Sequence, residues 1–209
     1  MKDSKSLATA HAGIRGQIAE SIAVKQLLLT DTELLGQIER MAQVCLDCLR
    51  GGGKILFAGN GGSFADAQHL AAEFTGRFLV NRVPLPAIAL GTNSSALTAI
   101  GNDYGFEQVF ARELQAVARR GDVFIPITTS GNSPNVLAAV DSALALGLMT
   151  LGLTGRSGGL LKQRCEVICV PAVDTARIQE CHILIGHIVC GLVEAAYVSG
   201  TDPAQETSR

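Results

Sequence analysis

Lys54 to Ser63 reads KILFAGNGGS: a short apolar run of strand character, a glycine-rich turn, and the polar opening of a helical pattern. From this point short apolar runs alternate with helical segments. Four more strands are expected, at Ala87 to Leu90 (AIAL), Val123 to Thr128 (VFIPIT), Met149 to Thr154 (MTLGLT) and Glu166 to Pro171 (EVICVP). Helices are expected near 63–79, 94–100, 106–118, 135–146 and 176–197. Near-continuous apolar strands interleaved with helices predict an α/β fold, a doubly wound five-stranded parallel sheet covered on both faces. Pro126 resists this pattern, because proline cannot donate to a sheet ladder; the strand carrying it is expected to be bulged or to lie at an edge.

Upstream, Ser6 to Arg50 has helical spacing, with a break at Leu29-Thr30-Asp31 where Thr30 or Asp31 can cap a second helix. Residues 1–50 therefore read as an N-terminal helical hairpin, stopped by Gly51, Gly52 and Gly53. Residues 54–198 form the α/β core and C-terminal helix, and the polar stretch 199–209 is expected to be a flexible tail. A chain of 209 residues with 47% apolar residues suits one domain over 1–209.

Charge and composition exclude several roles. Seventeen basic and 19 acidic residues leave a formal charge of −2, and the chain has only nine aromatics, seven Phe and two Tyr. Nothing there attracts a phosphate backbone or stacks bases, so nucleic acid is not an expected partner. Charged residues are 17% of the chain, against about 25% in an average soluble protein, and so sparse a charge suggests subunit interfaces. Lys2, Lys5, Arg15, Glu20 and Lys25 interrupt any signal-type apolar run, and the chain is expected to stay in the cytoplasm. The apolar stretch Ile183 to Val198 contains His187 and Glu194 and falls short of the ~20 residues of a membrane span. Its six cysteines are expected as reduced thiols. Cys45 and Cys48 with Cys165 and Cys169 could be imagined as a four-thiolate site. The second pair, however, lies on a strand, where its four-residue step spans ~13 Å, and the first reads as part of a helix core.

In an open parallel sheet, ligands bind outside the carboxyl ends of the strands. Two loops there are suited to anions. Gly59-Asn60-Gly61-Gly62-Ser63 leads from a strand into a helix, and reads either as a tight turn or as a ligand loop; it lacks the GxxxxGK[ST] pattern, and Phe64 stands where a dinucleotide loop would need glycine. Thr128-Thr129-Ser130-Gly131-Asn132-Ser133 gathers four hydroxyls before a helix opening on Pro134, the many neutral donors a phosphate wants at a helix N-terminus. His69 and Glu73 stand four apart on a helix, a spacing suited to a metal or to acid–base work, with Arg77 one turn on. Gln179, Glu180, His182 and His187 concentrate ligand-capable groups in the last helix; His182 reads as a core histidine.

Together AGNGGS (Ala58 to Ser63), DAQHLAAEFTGRF (Asp66 to Phe78), LTAIGNDYGFE (Leu97 to Glu107), TSGNSPN (Thr129 to Asn135) and RIQECHILIGHIVCGLVE (Arg177 to Glu194) resemble the sugar isomerase (SIS) superfamily, and within it the phosphoheptose isomerase family. The resemblance implies the SIS fold and an aldose–ketose isomerase acting on sedoheptulose 7-phosphate. It implies one zinc per subunit on His69, Glu73, Gln179 and His187, with Glu73 and His187 also moving protons. It implies substrate contacts from Asn60, Gly61, Gly62, Glu73, Asn102, Asp103, Thr128, Thr129, Ser130, Ser133 and Gln179, in a homotetramer with sites between subunits. Gln179 and His187 are eight residues apart, a rise of ~12 Å on a regular helix, which strains a shared coordination shell. The rival within the superfamily is a non-catalytic protein that binds the replication initiator or senses a phosphosugar. That branch lacks the carboxylate and imidazole found here at Glu73 and His187.

Overall fold

The computed structural model describes the backbone of residues 3–200 and the side chains of residues 11–200. Two helices come first, α1 (Asp3–Thr30) and α2 (Thr32–Arg50). Asp31 separates them and caps α2, its carboxylate accepting from the Leu34 N–H. Most of α1 is exposed from residue 11 onward, whereas α2 buries Leu34, Ile38, Met41, Cys45 and Leu49.

The remaining order is β1 (Ile55–Gly59), α3 (Gly62–Thr75), β2 (Ala87–Ala89), α4 (Ser94–Tyr104), α5 (Val109–Val117), β3 (Val123–Ile127), α6 (Pro134–Ala145), β4 (Met149–Gly155), β5 (Glu166–Val170) and α7 (Thr175–Ser199). The sheet has five strands in the order β2-β1-β3-β4-β5, all parallel. Strands that read as unbroken apolar runs turn out to alternate between two cores. Ile55, Phe57, Val123, Ile125 and Ile127 pack with α2, α3 and α7; Leu56, Ala58 and Phe124 pack with α5 and α6 on the other face. Cys45 and Cys48 belong to the first core, and Cys165 and Cys169 lean on the second, so the sheet separates the two cysteine pairs.

Pro126 corrects the expectation of a bulge or edge. β3 is the central strand, and its register is continuous: Pro126 pairs with Ala58, and both Val123↔Met149 and Ile127↔Leu153 keep one offset across β4. The Thr128 N–H points to Leu153 of β4, so Pro126, two residues earlier, turns its missing N–H toward the same strand. One ladder bond is lost, and the register on either side of it is kept.

Two helix ends also differ. The helix expected over 63–79 stops at Thr75, because Glu194 takes the amides of Phe78, Leu79 and Val80 that would otherwise continue it. α7 runs for 25 residues and by length and composition is apolar enough to cross a membrane. It is spent inside the core instead, burying Ile178, Ile185, Val189 and Val193. Of the expected tail, residues 201–209 lie outside the described residues.

Candidate active site

β1 has β2 on one side and β3 on the other, so the loops after β1 and β3 leave the sheet as neighbours around its crevice. Asn60 and Asn135 join them by two reciprocal amide hydrogen bonds, each 2.8 Å. In the second loop Thr128 Oγ1 and Ser133 Oγ share a hydrogen at 2.9 Å, and Ser130 Oγ accepts from the Asn132 N–H. Ser133 stands at the N-cap of α6 without capping it, so its hydroxyl is turned into the loop. Gly131 adopts φ +69°, and any side chain there would collide with the Gly158 carbonyl, which explains glycine at this position. Asn102 and Asp103 sit exposed on the last turns of α4, bonded to each other at 2.8 Å.

The other expected residues are arranged by two helices lying side by side and running in the same sense. Gly62 meets Gln179, Leu70 meets Gly186, and Phe78 meets Gly191. At Gly186 a methyl group would overlap Leu70, so α3 and α7 approach closely there. His69 immediately precedes Leu70 and His187 immediately follows Gly186, and the close approach brings them together. Their Nε2 atoms are 2.9 Å apart, and Glu73 Oε1 is 3.0 Å from His69 Nε2. One donor atom from each of His69, Glu73 and His187 fits within 4.8 Å of the others. His69 Nε2 is asked to serve both neighbours with one site, whereas a single shared cation would satisfy all three. Two imidazole nitrogens and a carboxylate oxygen are a donor set for a borderline metal ion.

Gln179 is not brought to this group in the same way. A Cβ added to Gly62 would fall 2.6 Å from Gln179 Nε2, so the amide lies over the start of α3. His69 is seven residues further along, ~10 Å of helical rise. Gln179 thus stands at the loop end of the helix pair and His187 further down it.

Sequence reasoning missed two features. Asp66 precedes His69 by one turn on the same face of α3, and burial pushes its carboxyl up to about 6, His69 acting in the opposite direction. Its Oδ2 is buried with no hydrogen-bond partner among the described residues. Its spacing of three and seven residues from His69 and Glu73 was the available signal. The second is the Glu194–Arg82 ion pair, whose partners are remote in sequence. Among the residues the sequence set aside, His182 is wholly buried with Nε2 3.2 Å from the Thr154 carbonyl, and burial lowers its pKa to about 4 despite that bond.

The model of the SIS domain family matches residues 22–155, more than half of the chain. The chain belongs to the SIS domain family. Within it, this SIS chain is 50% identical over 182 residues to a phosphoheptose isomerase of Burkholderia pseudomallei, covering 87% of the chain and 92% of the relative. It is 52% identical over 184 residues to that of Aneurinibacillus thermoaerophilus, covering 88% and 93%. The solved phosphoheptose isomerase of Neisseria gonorrhoeae superposes with a TM-score of 0.83 at 44% identity, over 89% of this chain and 99% of that one.

Proposed function

We propose that the chain interconverts sedoheptulose 7-phosphate and D-glycero-D-manno-heptose 7-phosphate, the aldose–ketose step that opens ADP- or GDP-heptose synthesis for cell-surface polysaccharide such as lipopolysaccharide. The observation that carries this reading is the convergence of His69, Glu73 and His187 from two helices, in a chain half identical to proteins named phosphoheptose isomerase.

Moving a proton between adjacent carbons through an enediol needs a base, an acid and stabilisation of negative charge on oxygen. Glu73 and His187 are the groups able to take and return that proton. His69, Glu73 and His187 would hold zinc, which when bound supplies Lewis-acid stabilisation of the oxygens at the reacting carbons, while Gln179 stands at the loop end of the same helix pair. Thr128, Thr129, Ser130 and Ser133 present hydroxyls and amides at the positive end of α6 and anchor the distal phosphate. Asn60, Gly61 and Gly62 line the neighbouring loop, and Asn102, Asp103 and Gln179 contact sugar hydroxyls.

The working form in this reading is a homotetramer in the cytoplasm, with each site assembled from more than one subunit. Two features support it. His69 and Glu73 stand ~10 and ~16 Å down α3 from the Gly62 loop, and the His69 side chain is 50% exposed. Ile14, Ile18 and Ile22 form an apolar stripe on α1, each more than half exposed.

Purified protein incubated with zinc and sedoheptulose 7-phosphate should yield the aldose 7-phosphate by NMR. Unchanged ketose would overturn the reading, whether the chain then binds a phosphosugar without turning it over or recognises another protein.

A further inference from the structure

Glu194 is a buried carboxylate on α7, seven residues beyond His187, and it is gripped from one side by backbone. Its oxygens accept from the N–H groups of Phe78 (2.9 Å), Leu79 (2.6 Å) and Val80 (3.0 Å). Arg82 Nε stands 2.9 Å from Oε1, and both partners are almost wholly buried. Desolvation pushes the Glu194 carboxyl up, but the three amides and Arg82 outweigh it and hold it below the ordinary carboxylate range.

The rest of the Arg82 guanidinium faces the last turn of α3. Nη2 donates to the Glu73 carbonyl at 2.8 Å and Nη1 to the Phe74 carbonyl at 2.8 Å. These are carbonyls left over at a helix C-terminus, where a cation is also favoured by the helix dipole. The amides held by Glu194 fix the backbone of Phe78. The Phe78 ring in turn lies over Gly191 and stacks on the His187 imidazole, centroids 5.6 Å apart and planes inclined by 26°. Both arms of one buried ion pair therefore end on residues of the His/Glu group, one on the backbone of Glu73 and the other on the ring of His187.

We infer that Glu194 and Arg82, acting through Phe78, are positioning residues for this site. They fix the tilt of the His187 imidazole toward His69 and the place of Glu73 at the end of α3. A buried pair made only to stop a helix would need no aromatic ring laid on an imidazole. The ring closes one face of that imidazole and leaves its Nε2 edge directed at His69.

The inference rests on the isomerase reading, and the test separates the two. Phe78→Leu keeps apolar volume and leaves the ion pair intact, so it is the primary variant; Glu194→Gln is the second, and Phe78→Tyr is the conservative rescue. Phe78→Leu is expected to lower kcat about tenfold with KM for sedoheptulose 7-phosphate unchanged. It should also weaken zinc about tenfold in a chelator competition that does not depend on turnover, with Tm shifted by no more than about 2 °C; Phe78→Tyr should restore both. Glu194→Gln should reproduce the zinc and kcat losses and lower Tm as well. Wild-type kcat and zinc affinity in Phe78→Leu would overturn the inference, as would a loss confined to Tm in Glu194→Gln. Should His187→Gln retain full turnover, it is the isomerase assignment of the group that fails.

Discussion

Glu73 has a double duty at the scale of a single side chain. Its carboxylate reaches His69 while its own carbonyl is held by Arg82, so the group proposed to move a proton is anchored by its main chain. Glu73→Gln preserves that anchoring and the side-chain volume but removes the proposed base. Turnover should fall at least about a hundredfold, the lower range for loss of a general acid or base, with the far-UV circular dichroism and assembly state unchanged. Near-normal kcat would remove Glu73 from proton transfer. His182 makes a separate prediction. Its pKa falls from 6.5 to about 4 on folding, so between those values the unfolded chain binds more protons than the folded one. Its contribution, on the order of 3 kcal/mol, is present above about pH 6.5 and is lost as the pH falls toward 4. Urea midpoints measured from pH 7 to 4.5 should decline less steeply in His182→Gln than in the parent; parallel curves would refute the assignment.

Among the elements, the proposed function divides the work between the two loops, which would anchor, and the α3–α7 pair, which would react. Replacing Ser130 and Ser133 together by alanine removes two hydroxyls from the loop after β3 while sparing the Asn60–Asn135 link. KM should rise about tenfold with kcat held within a factor of about three, since one net hydrogen bond is worth ~1 kcal/mol. An unaltered KM would exclude the loop as the phosphate anchor. The elements themselves were legible because hydrophobic period and glycine punctuation are local signals. KILFA and GNGGS placed β1 and the start of α3 nearly to the residue. His69 and Glu73 were legible as a pair from their spacing. The geometry by which His69 meets His187 was not, since it depends on the near contact of Gly186 with Leu70 across distant stretches of chain. Pro126 misled because the rule against proline in sheets concerns a donor lost, and a central parallel strand tolerates one such loss without changing register. The early end of α3 was hidden for a similar reason: a carboxylate on α7 competes for its amides.

The whole molecule keeps its catalytic candidates on a helix pair with the apolar side chains of Leu79, Val80, Ile188 and Leu192 exposed beside it. Ile14, Ile18 and Ile22 continue that character along α1, which is tied to α7 by Arg177 donating to Gln17 and Ser21 donating to Glu180. A charge in that stripe should break the proposed subunit association without unfolding a helix that buries so little. Ile18→Glu is expected to shift the protein to smaller species by light scattering and to lower activity at least tenfold, with helical content kept. An unchanged molar mass would take α1 out of the assembly surface.

The reciprocal amides of Asn60 and Asn135 also give the molecule a clock. Asn60 precedes a glycine, the neighbour that least obstructs spontaneous loss of side-chain ammonia. The resulting aspartate would face the Asn135 oxygen across a bond that both amides now share. Old preparations should then bind a phosphosugar more weakly while remaining folded, so storage time becomes a variable of affinity.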